Sequence, residues 1–420
     1  MTQYYLNSIS GSDSNVGTSE AQAWASFTKA FQSVTGGDVL WVKGAGATYA
    51  SVNNINTNYF PRLIVEGYDS VTGDKCIDGT PPKFTTRIFS LGGKVSVSNF
   101  SAEVDNSTSV LDVRYGGSEF ENITIYDKNV NTTTYNGGIF SMSESNPLKR
   151  GIRYIPSDSA VFKIATNGGV INWYTQAFRS YFEGSVFDFS NVESSSGSEE
   201  FDVLQQLYTG HRTFSSYGNV FMGNPNETGM RCINFRYQST SVDFLIENTV
   251  FYNFGIGIRF TTDIADQQTL TDTIRSRGSK LLIRNCFFVN CGTGIDFQSG
   301  FDFHPDIHNC VFYNCTVGGI VNGNGNDHNS RYVTQNPFDP VNRRLNNYGK
   351  SLLNLQYQSG TDTVTSDTRR EFYQVPVPTK FARTTDNSIS LGTGVVGDTV
   401  NVSGKAFQLV QDNPRVWRWT

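Results

Sequence analysis

NTVFYNFGIGIRF (248–260), NCFFVNCGTGIDF (285–297) and NCVFYNCTVGGIV (309–321) align without a gap. Each has Asn, then Thr or Cys, three apolar residues centred on Phe, a second Asn, and a Gly-rich bend into another apolar run. Asn285 and Asn309 are 24 residues apart. The longer step from Asn248 to Asn285 is taken up by a polar insertion, Thr261–Lys280. Apolar runs this short cannot form an independently stable sheet. Stacked about 4.8 Å apart on their copies, they bury a continuous core and pair the interior backbone. The repeat therefore predicts a β-solenoid with Phe251, Phe288 and Phe312 inward and Asn248, Asn285 and Asn309 at a corner, where Asn tolerates the left-handed backbone. Helical repeats run ~33–47 residues and are rich in Leu and Ala, unlike this one. An antiparallel sandwich is the competing reading. It does not explain why Cys286 would fall over Cys310 and Cys291 over Cys315.

Weaker echoes occur at VSNF (97–100), NITIY (122–126), SVFDF (185–189) and NVFM (219–222). Helical spacing is confined to SEAQAWASFTKAFQSV (19–34), with Trp24, Phe27, Ala30 and Phe31 on one side and Ser19 as the expected N-cap. So early a helix suits a cap over the open end of a solenoid core. A turn, GGD, then leads into a predicted strand at Val39–Val42.

Composition bounds the remainder. Only 17% of the 420 residues are charged, against a norm of roughly 25%. The net charge is −5, and 31 Phe, 20 Tyr and 5 Trp supply ample apolar area, which excludes a disordered chain. No run approaches the ~18–20 apolar residues of a membrane span. The absence of a basic tract argues against nucleic-acid binding. MTQYYLNSIS has no basic n-region, apolar h-region or cleavage site, so it predicts no secretory signal. The alternative is a signal replaced by Met1. Six cysteines are too few for a disulfide scaffold. The two C-x4-C pairs bracket strand-like runs, so buried, reduced, stacked thiols are expected in preference to zinc or a disulfide.

The stretch YYLNSISGSDSNVGTSEAQAWASFTKAF (4–31) with GDVLWV (37–42) resembles the opening of right-handed parallel β-helix proteins of the pectate-lyase-like superfamily. There, a first strand, a G-S-D-x-N-x-G-T loop, a capping helix and a G-D-x-[VL]-x-[VL] strand begin the coil. The matching positions are Tyr4–Leu6, Gly11–Thr18, Ala21–Phe31 and Gly37–Val42. The repeats carry the likeness more loosely to about Asn324, and Pro337–Asn354 resembles the segment that closes such coils. The expected architecture is an all-β, right-handed parallel β-helix (51–356) behind an N-terminal strand and capping helix (1–50). A linker (357–370) and a small β-rich anchoring or oligomerisation module (371–420) carrying Trp417 and Trp419 follow.

The family spans polysaccharide lyases, glycoside hydrolases, phage tailspikes and non-enzymatic virion proteins, so fold alone does not assign a reaction. The densest acid and histidine run is Asp296, Asp302, His304, Asp306 and His308, of which Asp296, Asp302, His304 and Asp306 are the catalytic set if the protein is an enzyme. It lacks Lys or Arg, and no N-T-D, D-D or G-H-G run accompanies it; GNGNDH (323–328) has the wrong order. The insertion, with Asp263 and Asp266 preceding Arg275 and Arg277, is the binding candidate, either for a ligand or for a subunit contact. No P-loop, H-E-x-x-H or G-x-S-x-G motif occurs. Two readings result. One is a non-enzymatic bacteriophage virion protein, a capsid decoration or surface-displayed β-helix made in the host cytoplasm. It would be a homo-oligomer, a trimer for preference, would contact capsid or tail proteins and would bind host or environmental glycans. The alternative is a polysaccharide lyase or glycoside hydrolase, tailspike-type or secreted. No cofactor is expected, except Ca²⁺ for a lyase.

Overall fold

The three aligned segments lie one above another. Val250–Tyr252, Phe287–Val289 and Val311–Tyr313 are parallel neighbours, with Phe251 opposite Phe288 and Phe288 opposite Phe312. Their rings stack at 4.8 and 4.9 Å between centroids, tilted by only 8° and 11°. Phe187 and Phe221 extend the file at 5.2 and 5.8 Å, and all five rings are at most 2% exposed. Burying a Phe side chain contributes ~1.5–3 kcal/mol, and each ring pair adds ~0.5–1.5 kcal/mol.

This is a computed structural model. It describes residues 1–50, 52–55, 59–76, 79–85, 89–91, 94–104, 111–113, 119–127, 140–144, 148–156, 162–164, 169–176, 179–194, 201–208, 212–237, 242–262, 281–297, 306–321, 327–328, 331–333, 399–402, 405–412 and 415–419. The chain divides into two compact units, 1–180 with 191–196, and 181–190 with 197–420. Each is an all-β, parallel β-helix.

In the second unit the described strands of the coil form three stacks. The first contains Arg212–Tyr217, Val242–Glu247, Leu281–Arg284, Asp306–His308 and Asp327–His328. The second contains Val186–Asp188, Val220–Met222, the three Phe-centred strands and Arg331–Val333. The third contains Phe201–Tyr208, Met230–Tyr237, Ile256–Thr262, Thr293–Phe297 and Gly318–Val321.

Single left-handed residues make the corner between the first and second stacks. Gly184, Gly218, Asn248, Asn285 and Asn309 have φ of 54°, 64°, 50°, 52° and 51°. Asn253, Asn290 and Asn314 repeat the device at the next corner. A side chain with a branched Cβ is strained in this conformation, whereas Gly and Asn adopt it. The amides also link turn to turn: Asn309 Nδ2 donates to Asn285 Oδ1 at 3.4 Å, and Asn314 Nδ2 to Asn290 Oδ1 at 3.0 Å. In NVFM the corner residue is Gly218, so Asn219 aligns one place later than the repeat pattern suggests.

The residue after each first-corner position is fully buried and polar: Ser185, Asn219, Thr249, Cys286 and Cys310. Four of these side chains donate to the carbonyl two residues back. Ser185 Oγ reaches Glu183 O at 3.1 Å, Thr249 Oγ1 reaches Glu247 O at 3.0 Å, and the Cys286 and Cys310 thiols reach Arg284 O and His308 O at 3.3 and 3.5 Å. The thiols thus occupy a hydroxyl's role, as second donors to corner carbonyls that also accept a backbone N–H from the preceding turn, Asn248 N to Arg284 O and Asn285 N to His308 O. All six cysteines are free. Burial pushes the Cys286 and Cys291 thiols far above their usual range and Cys315 to about 12, so they stay protonated. This agrees with stacked, reduced thiols.

Room for the Phe file comes from glycine. A Cβ on Gly257 would lie 2.7 Å from the Phe288 ring, and one on Gly294 would lie 2.5 Å from the Phe312 ring.

The first unit is wound the same way. Gln3–Leu6, Val39–Lys43, Leu63–Tyr68, Val95–Val104, Glu119–Asp127 and Leu148–Pro156 form its main stack. Asn99, Asn122 and Gly151 form a left-handed file there. The α-helix is shorter than the periodicity predicts, Phe27–Ser33, and its N-cap is Ser26, which accepts from Lys29 N at 3.2 Å. Ser19 instead precedes a 3-10 turn, Glu20–Gln22. The helix starts late because Trp24 is held in a parallel bridge with Leu6 and Asp13 anchors the backbone N–H groups of Ala25 and Ser26 at 2.9 and 3.0 Å. Phe27 then stacks on Phe84 at 5.4 Å, and Phe84 packs on Phe100 at 5.5 Å. The helix therefore contributes an aromatic side chain to the end of this core, as a cap requires.

Three antiparallel strands, Thr399–Val402, Lys405–Asp412 and Arg415–Trp419, lie in the C-terminal part. The expected linker (357–370) and closing segment (337–354) lie outside the described residues. Among the described residues no helix is long and apolar enough to cross a membrane.

Two substitutions test this account. Asn285→Ala places a Cβ-bearing residue without the local amide in the left-handed corner, at a cost of about 2 kcal/mol in urea unfolding. Asn285→Gly loses less, because Gly184 and Gly218 already serve that corner; equal losses would contradict the backbone explanation. Phe288→Ala, in the middle of the ring file, lowers stability by about 3–5 kcal/mol, and a loss below 1 kcal/mol would show that the file is not the core.

Candidate functional site

Two corners of the second unit are tight in its later turns, so variable connections accumulate at the third. There the third stack returns to the first through 209–211, 238–241, 263–280, 298–305 and 322–326. Both segments singled out in the sequence fall at this corner, on consecutive turns. Stretch 263–280 joins Ile256–Thr262 to Leu281–Arg284, and 298–305 joins Thr293–Phe297 to Asp306–His308. The departing strands are in register through Phe260 and Phe297, and the receiving strands through Leu282 and Asp306. Asp263, Asp266, Arg275, Arg277, Asp302 and His304 themselves lie outside the described residues.

Asp296 and Asp306 flank the corner on different stacks. Ile258, Phe260, Ile295 and Phe297 point into the core and are fully buried, so the two-residue period turns Arg259 and Asp296 outward. These two are register partners and form an ion pair of 3.2 Å, with side chains 20% and 12% exposed. Asn234 is the register partner of Arg259 on the preceding turn, and Thr261 Oγ1 donates to its Oδ1 at 3.3 Å. The result is an outward polar strip, Asn234–Arg259–Asp296, running across three turns beside the corner. Asp296 is therefore a paired carboxylate and not one member of a continuous acidic run. Asp306 is exposed at the start of its strand. Along the first stack, Glu247 forms an ion pair with Arg284, and His308 is the next residue in register.

Trp417 and Trp419 lie on the last strand, their backbones paired with Leu409 and Phe407.

The first unit carries a second polar row that sequence reading missed. Tyr5, Trp41, Glu66, Ser98 and Glu121 occupy one register position on successive strands. Asn99 Nδ2 donates to Glu66 Oε1 at 3.4 Å, and Asn122 Nδ2 donates to Asn99 Oδ1 at 2.9 Å. Burial raises the Glu66 carboxyl above its usual range; Lys75 opposes the rise, and Glu121 and Asp74 add to it. Beside the row, the Asp74 carboxylate collects the backbone N–H groups of Asp69, Ser70, Val71 and Cys76 at 2.8–3.1 Å. This holds a turn in which both Lys75 and Cys76 have positive φ, 56° and 49°. The residues are scattered through the sequence, and only the strand register collects them. The alternation in LIVEGY (63–68) was the available signal that Glu66 faces outward.

No family model matches the chain, and no curated protein matches it. Among solved structures, a GH136 lacto-N-biosidase from Eubacterium ramulus is similar at 12% identity and a TM-score of 0.39, covering 79% of this chain and 68% of its own. A protein described as rhamnogalacturonan lyase is similar at 13% identity and a TM-score of 0.35, covering 75% of this chain and 74% of its own. Both neighbours are carbohydrate-active proteins; at this depth the likeness positions no residue and transfers no reaction.

Proposed function

We propose that the chain engages a polysaccharide, with the third corner of the second unit as a principal contact surface. The carrying observation is the outward strip Asn234–Arg259–Asp296 beside the corner from which the connections 263–280 and 298–305 depart. A guanidinium and a carboxylate held side by side present fixed donors and acceptors, the arrangement a sugar diol requires. Loops from solenoid turns are commonly the binding face. In this reading Asp263, Asp266, Arg275 and Arg277 supply further binding groups, and Asp302, His304 and Asp306 supply titratable groups from the neighbouring turn. Of the two classes weighed from sequence, the glycan-directed one accounts for these polar surfaces. A bacteriophage particle, a trimer and a virion location draw no support from the fold, its surfaces or the comparisons.

The test is affinity electrophoresis of the full chain in gels containing polygalacturonate, alginate, xylan or β-glucan. At least one glycan is expected to retard it. Arg259→Gln and Asp296→Asn are each expected to weaken that binding about tenfold, equivalent to ~1.4 kcal/mol. Unchanged retardation in both variants would move the surface elsewhere, and no retardation in any gel would remove the reading.

A further inference from the structure

The second stack of the second unit is apolar on both faces. The Phe file is formed by the middle residues of its three-residue strands and points toward the third stack, where Gly257 and Gly294 leave room for the Phe288 and Phe312 rings. Alternation turns the residues on either side of each Phe to the opposite face, away from the core. One outward register row is Val220, Val250, Phe287 and Val311, all 0–2% exposed. The other runs from Met222 through Tyr252 and Val289 to Tyr313; its first three members are at most 7% exposed, and Tyr313 is half-buried. Tyr252, Phe287 and Tyr313 each engage a further partner.

Outward rows on the other two stacks carry Glu247, Arg284, Arg259 and Asp296 instead, and the Arg284 side chain is 51% exposed. An apolar outward face left open would be a patch of the kind that soluble chains rarely show. Burial this complete requires a second layer over it, and a single copy of the chain already supplies that layer. We infer that residues 334–357 are the layer, running back along the outer face of the second stack as an apolar strap. This inference is independent of the glycan-directed reading.

Four observations select that segment. Arg331–Val333 is the last strand of the second stack in chain order, so residue 334 leaves the coil at the foot of this face. In the later turns the corners flanking the stack are two to four residues, too short to cross it, and the longer connections 263–280 and 298–305 join the other two stacks. The six strands from Val186–Asp188 to Arg331–Val333 span ~24 Å at about 4.8 Å per step, which roughly eight extended residues cover. The segment also has suitable side chains: Phe338, Leu345, Leu352, Leu353 and Leu355 for the apolar rows. Its charge is complementary as well. Asp188, in register with Met222 at the head of the face, is fully buried; a buried carboxylate requires a donor or cation, and the segment carries Arg343, Arg344 and Lys350 against one acid, Asp339.

The test uses the full chain with Tyr252 or Tyr313 replaced by the photo-cross-linker p-benzoylphenylalanine, and with exposed Tyr126 of the first unit replaced as the control. After irradiation, cross-linked peptides are mapped by mass spectrometry. Both second-stack positions are expected to join intramolecularly to peptides within 334–357, and the control is not. Cross-links to any other segment, a cross-linked dimer, or yields no higher than the control would overturn the assignment. A second measurement follows trypsin cleavage after Arg343, Arg344 and Lys350. Val250→Glu and Val311→Glu, each placing a charge under the strap, are expected to speed that cleavage about tenfold or more, because proteolysis tracks the population of the opened segment. Far-UV circular dichroism matching the parent shows that the coil is intact. Unchanged cleavage in both variants with an intact coil would also overturn the strap, and where a variant fails to fold the cross-linking result decides.

Discussion

The constraint on which the structure depends is in-register stacking of like side chains. Each strand is three to ten residues long in most of the coil and has no stable existence alone. Its backbone groups are satisfied only by the turns before and after it, and its apolar residues only by their counterparts there. The Phe187–Phe221–Phe251–Phe288–Phe312 file is the clearest expression of this. A one-residue slip would turn every such ring outward. The left-handed corners prevent that slip by fixing where each strand ends, and the glycines at 257 and 294 make the space that the rings fill.

The same constraint separates scaffold from surface. Inward positions and tight corners are bound to their neighbours above and below. Outward positions such as Glu66 and Arg259 carry polar contacts between turns in place of apolar packing, and connections at the third corner of the second unit differ in length, so charge and length vary there. Glu66, Glu121, Arg259 and Asp296 all stand on strands whose inward neighbours are fully buried. Rigid strands thus hold the candidate groups at spacings set by the interstrand distance, which is a more exact placement than loops provide.

Legibility in the sequence followed contact order. The Asn248, Asn285 and Asn309 repeats lie close in the chain and share one ungapped pattern, so the solenoid and its Phe file could be read directly. The cap helix was visible but drawn too long, because Trp24 satisfies helical spacing while being committed to a bridge with Leu6. The second outward row was not legible. Glu66, Ser98 and Glu121 share no motif, and the turns containing them vary in length, so nothing marks them as neighbours before the register is known. Asp296 was visible as an acid, but its partner Arg259 belongs to the previous turn, and local composition had placed Asp296 with His304 and Asp306.

The thiols inside the corners have a consequence for how such a protein ages. Cys286 and Cys310 lie buried behind the backbone and bonded to carbonyls, burial holds the Cys286 thiol far above its usual range, and thiolate character governs attack by oxidants. While the coil is wound they are chemically silent. They become targets only in molecules that have locally unwound, so oxidation would mark those molecules and hinder their rewinding, leaving the intact population untouched.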